Sequence, residues 1–167
     1  MFVLDASTLI LTAKMEALDL FLSGSKLEFV IPVEVERECC AVKRSLDALM
    51  IQKAVQESKI KVVDVKNKKL VTKLRGDFGL GRGEAEAIAL ALAERAQILG
   101  IDDKNGINAC KLLGIPFTTA IGILIRMRKK RLLAVSEALA KLVALGEYGR
   151  YKQSILEDAR QRLEATA

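Results

Sequence analysis

Residues 82–118 read RGEAEAIALALAERAQILGIDDKNGINACKLLGIPFT, and the switches of pattern within this stretch decide the fold class. Arg82 to Arg95 is rich in Ala and Leu and reads as a compact helix. Ile98 to Asp102 is a short apolar run of strand character, Asp103 to Leu113 is helical again and stops at Gly114, and Ile115 to Thr118 returns to strand. Short connections between alternating elements predict βαβ units around a mostly parallel sheet.

Working outward, the same alternation runs upstream. Strand-like runs occur at Phe2 to Asp5, Leu27 to Ile31 and Ile60 to Val65, with helical patterns at Ser7 to Leu22 and Val33 to Glu57. From Ile121 onward only helix is expected: first the basic run Arg126 to Arg131, then Val135 to Leu145, a break at Gly146 and Gly149, and Tyr151 to Ala165. The expected architecture is α/β in one domain spanning 1–167, with a core of about 1–125 and a helical C-terminal extension of about 126–167.

Composition excludes several chemistries. The chain of 167 residues contains no histidine, which removes Ser-His-Asp triads, Cys-His dyads and HExxH zinc sites together. Cys39, Cys40 and Cys110 lack metal-binding spacing and read as buried thiols. No apolar run is long enough for a membrane span and no basic leader precedes Phe2, so a cytoplasmic protein without membrane contact is expected. An excess of 27 Lys and Arg over 21 Asp and Glu gives a net charge of +6, which favours a polyanionic partner. Aromatic residues make up only 4% of the chain, so base-stacking platforms have few candidates.

Carboxylates gather where a parallel sheet binds ligands, beyond the carboxyl ends of its strands. Asp5 closes the first strand beside the hydroxyls of Ser7 and Thr8. Glu34, Glu36 and Glu38 come just after Ile31-Pro32, past the end of the second strand-like run; Glu34 and Glu38 share a face, and the residues alone do not choose among the three. Glu84 opens the Ala-rich helix, and Asp102 with Asp103 ends a strand. Each acid has an ordinary structural use as a helix cap, a favourable dipole partner or a solvated side chain. Their joint occurrence at successive strand ends points instead to a shared site for Mg²⁺ or Mn²⁺, the ions that hard oxygen ligands select. Such a site would polarise a phosphoryl oxygen for attack by water.

These motifs resemble the PIN-domain family of nucleases, in the family's order: VLDAST at 3–8, IPVEVERE at 31–38, LGRGEAEAIALA at 80–91 and IDDKNGINACKLLGIPF at 101–117. The resemblance covers roughly Met1 to Leu124 and implies a three-layer α/β/α domain. It implies divalent-metal-dependent cleavage of RNA, most simply single-stranded, and frequent homodimers. Many small members are toxins held by an antitoxin. Carried over residue by residue, Asp5, Glu84, Asp102 and Asp103 correspond to metal-binding acids, Glu38 joins them as a catalytic acid, and Ser7 or Thr8 supports the first Asp. Ile107 and Asn108 stand where a basic residue is often found, and Thr119-Ala120 where Gly-Thr is common. Lys104 and the run containing Arg126, Arg128 and Lys129 are the candidate phosphate contacts. Two other readings use the same features: a non-catalytic RNA- or protein-binding module of this fold, and a metal-dependent phosphatase for a small phosphoester.

Overall fold

The computed structural model describes residues 1–40 and 45–165. Five strands, β1 (Phe2–Leu4), β2 (Phe29–Pro32), β3 (Ile60–Val63), β4 (Ile98–Gly100) and β5 (Phe117–Thr118), form one sheet in the order β3-β2-β1-β4-β5, with every pairing parallel. β1 lies in the middle, in register with β2 through Val3 and Val30 and with β4 through Leu4 and Gly100. The strands are short and almost continuously apolar because both faces are covered.

Side-chain alternation sorts the core into two halves. Phe2, Leu4, Phe29 and Ile31 face one layer, containing α1 (Ala6–Lys14), α2 (Leu18–Ser23), α4 (Leu46–Gln56), α8 (Ala120–Lys129), α9 (Val135–Tyr148) and α10 (Gln153–Ala165). Val3, Val30 and Leu99 face the other, built from α5 (Lys68–Phe78), α6 (Arg82–Ala93) and α7 (Lys104–Leu113). The α/β expectation and its three layers are therefore met. Among the described residues, no helix is long and apolar enough to cross a membrane.

Several boundaries differ from the sequence expectation. The helix expected over Ser7 to Leu22 is two helices, because Glu16 takes a left-handed φ of 54° and turns the chain. The one expected over Val33 to Glu57 is α3 (Val33–Cys40) and α4, separated at the extended Ser45, while 41–44 lie outside the described residues. The third strand stops at Val63 rather than Val65. Gly146 is inside α9, which continues to Tyr148, so only Gly149 breaks the chain there. The expected boundary at 126 falls within α8, whose Ile123 and Leu124 belong to the main core. Cys39 and Cys110 are buried as expected, but Cys40 is only partly so.

Helix α5 was not anticipated from its sequence. Its start is fixed by Asn67, whose side-chain oxygen accepts from the Leu70 amide at 3.0 Å, and its end by Gly79 in the left-handed conformation. Asn67→Ala is expected to lower stability by about 1 kcal/mol, the usual worth of such a cap, which urea unfolding would measure.

Candidate metal and phosphodiester site

The order of the sheet places a topological switch between β1 and β4, the two strands whose following chains leave in opposite directions. Asp5 and Asp102 follow these two strands. Asp5 is fully buried and caps α1: its Oδ1 accepts from the Thr8 amide at 2.8 Å, and its Oδ2 from the Ser7 hydroxyl at 2.6 Å. The backbone N–H of Asp5 bonds Gly100 across the sheet, fixing the start of the helix to the neighbouring strand. The ordinary use of Asp5 as a cap and its place at the switch point thus coexist.

Asp102 is held from three directions. Oδ2 accepts from the Thr8 hydroxyl at 2.8 Å and from the Ala120 amide at 2.9 Å, and Oδ1 accepts from the Tyr151 hydroxyl. The Ala120 contact is made by backbone, so the departure from Gly-Thr at 119–120 leaves it intact. Ser7 and Thr8 therefore bridge the two aspartates, Ser7 also accepting weakly from the Asp102 amide at 3.4 Å. Sequence reasoning missed Tyr151 altogether. Its phenol comes from the segment joining α9 to α10, and nothing in its own neighbourhood marks it.

A second group of acids stands at the start of α6. Glu38 Oε1 accepts from the Gly83 amide at 3.0 Å, Glu84 Oε2 folds back on the Gly81 amide at 2.8 Å, and Asp103 caps α7 through Gly106 at 2.9 Å. Glu34 and Glu86 are also nearby and are more deeply buried, but Glu34 pairs with Arg37 and Arg82, and Glu86 with Lys68 and Arg82. The local signal separating Glu38 from Glu34 is the arginine three residues after Glu34, at the spacing that pairs charges on a helix.

Electrostatics draws the same line. Burial pushes Asp5 up to about 7, with the charge of Asp102 adding to the rise against the hydrogen bonds from Ser7 and Thr8. Asp102 is raised by burial as well, opposed by its bonds from Tyr151, Ala120 and Thr8. Glu84 is raised by desolvation and by the charges of Asp103 and Glu38; Glu38 is raised by desolvation and by Glu34 and Glu86. Among the described residues, none of Asp5, Glu38, Glu84, Asp102 and Asp103 forms an ion pair, whereas Glu34 and Glu86 do.

These five acids offer only oxygen donors, which suits Mg²⁺ or Mn²⁺ and not a soft ion. Their mutual repulsion is the kind that a cation relieves. In the side-chain positions described, no three His, Cys, Asp or Glu residues already converge as a closed ligand set. The donor chemistry fits a divalent ion held in an open crevice, partly through water, as is usual for Mg²⁺.

A PIN-domain family model matches residues 1–165. The chain belongs to the PIN-domain family. The match extends through α10, well past the part that carries the recognisable motifs, so the helices after β5 belong to the matched unit. PIN domains are typically nucleases that use divalent metals. No curated protein matches the chain.

The remaining candidates of this PIN domain lie apart from one another. Ser7 and Thr8 are in the crevice, and Lys104 is exposed at the start of α7, one residue beyond Asp103. Arg126 and Lys129 line a cleft with Phe2, Ile98 and Phe117, at the amino-terminal ends of the strands. Arg128 is half-buried on the same helix. Since α8 starts beside Asp102 and runs about 15 Å, its basic end is at the opposite end of the sheet from the acids.

Proposed function

We propose that this protein is a metal-dependent endoribonuclease. The observation that carries the proposal is the set of five carboxylates at the β1/β4 switch point and the neighbouring helix starts, left without ion pairs among the described residues while adjacent acids are neutralised. Asp5, Glu84, Asp102 and Asp103 would hold Mg²⁺ or Mn²⁺, with Glu38 completing the acidic wall. When bound, the ion supplies Lewis acidity at a phosphoryl oxygen. Ser7 and Thr8 keep the two aspartates at a fixed spacing. Lys104 is the cation best placed to meet a phosphate beside the acids, while Arg126, Arg128 and Lys129 would touch only a strand long enough to reach around the sheet. A net charge of +6 supports a polyanionic substrate, and the whole chain, α9 and α10 included, would act as one unit.

The second reading, a binding module without catalysis, draws support from the hydrogen bonds that already occupy Glu84, Asp102 and Asp103. Incubating labelled single-stranded RNA with pure protein in Mn²⁺, Mg²⁺ or EDTA separates the two. The nuclease reading expects cutting with either ion and none with EDTA. Intact RNA in every lane, together with binding that ignores the chelator, would transfer the assignment to the binding module.

A further inference from the structure

Tyr151 is presented to the crevice from a fixed seat. It lies in the short connection between α9 and α10, and its ring rests against Gly149: a Cβ at that position would stand 2.3 Å from the ring's Cε2 and 2.8 Å from the Leu145 carbonyl oxygen. A glycine is therefore needed for the ring to lie where it does. The ring packs at the edge of the core to which Ala159 and Leu163 of α10 contribute, so the C-terminal helices set its position.

What the phenol does follows from the accounting at Asp102. A carboxylate oxygen offers two lone-pair directions. Oδ2 spends both, on the Thr8 hydroxyl and the Ala120 amide, while Oδ1 gives one to Tyr151 and, among the described residues, keeps one. Two bonds to one oxygen leave the carboxylate able to pivot about it; the third, on the other oxygen, fixes its plane. We infer that Tyr151 is a positioning residue for the metal site, orienting Asp102 so that the remaining lone pair of Oδ1 faces the crevice. This rests on the nuclease reading above. It gives the C-terminal helices a part in the chemistry, since the residue they deliver acts through Asp102 and not on the substrate.

The test is a titration of metal-free parent and Y151F protein with Mn²⁺, the free ion counted by electron paramagnetic resonance, alongside melting temperatures in EDTA and single-turnover cleavage. Partners that orient a metal ligand typically govern affinity by about 10- to 100-fold. Y151F is expected to weaken Mn²⁺ binding by about tenfold and to lower cleavage at limiting Mn²⁺ more than at saturating Mn²⁺. Mn²⁺ binding that is unchanged or tighter in Y151F overturns the inference, including the case where the variant merely melts lower. A parent that binds no Mn²⁺ overturns the metal reading itself, and the two failures are thereby told apart.

Discussion

Asp5→Asn is expected to abolish cleavage while making the metal-free protein harder to unfold. The side chain is completely buried, and its carboxylate is raised to about 7, chiefly by that burial. In the unfolded chain the same group ionises near 3.8. Between these values the folded state holds a proton that the unfolded state has lost, so raising the pH through this window favours unfolding. The slope is about 1.4 kcal/mol per pH unit, amounting to about 4 kcal/mol by neutral pH. Asparagine does not titrate and retains the local bonds: its carbonyl can accept from the Thr8 amide and its NH₂ can donate to the Ser7 hydroxyl. Urea unfolding in EDTA should show parent and variant close together near pH 4, with the variant increasingly the more stable up to about pH 7 and a constant gap above it. Mn²⁺ should reverse the order by stabilising the parent alone. Cleavage should fall by about a thousandfold or more, which corresponds to about 4 kcal/mol of lost transition-state stabilisation. A variant that cuts at the parental rate would remove Asp5 from the site.

Gly83→Ala is expected to separate catalysis from folding. Position 83 is in the first turn of α6, and its amide donates to Glu38 at 3.0 Å. A Cβ there would lie 2.6 Å from Glu38 Oε2 and 2.7 Å from its Cδ and Oε1, so the carboxylate has to leave. It can do so cheaply, being the end of a flexible side chain. Alanine also improves the helix by about 1 kcal/mol, of the same order as the lost hydrogen bond, and the melting temperature should scarcely move. Glu34 is clamped by Arg37 and Arg82 and should remain where it is. Single-turnover cleavage is expected to drop about 10- to 100-fold, as for the loss of a supporting group at a metal site. Unchanged cleavage would show that Glu38 is not part of the machinery.

The parts legible in sequence were those whose cause is local. An apolar run ending in Asp, followed by a helical pattern, encodes a strand end and a cap together, which is why Asp5, Asp102 and Asp103 could be picked out. The expected choice of Glu38 over Glu34 came from family resemblance, although Arg37 carried a local reason for setting Glu34 aside. Helix α5 escaped notice because it buries only Val71 and Leu74, leaving little apolar periodicity; Asn67 and Gly79 at its ends were the readable signals. The turn at Glu16 has no Gly or Pro to announce it and is imposed by the packing of α2 against α4 and the sheet. Tyr151 was out of reach for the same reason in a stronger form: its partner is 49 residues away, and only the three-dimensional path of α9 makes them neighbours. The separation of the basic end of α8 from the acids likewise required knowing which way that helix runs.

The central position of β1 also bears on how the protein is made. Thr8 bonds Asp102 across 94 residues of chain, and Asp102 in turn waits a further 49 for Tyr151. Contacts so distant in sequence are late and slow to close. While translation proceeds from the amino terminus, Asp5 emerges before it has a β4 beside it, and the acidic crevice is completed only after the chain through Tyr151 has also left the ribosome. The nuclease activity proposed above would therefore stay incomplete in the nascent chain until Tyr151 is free to reach Asp102.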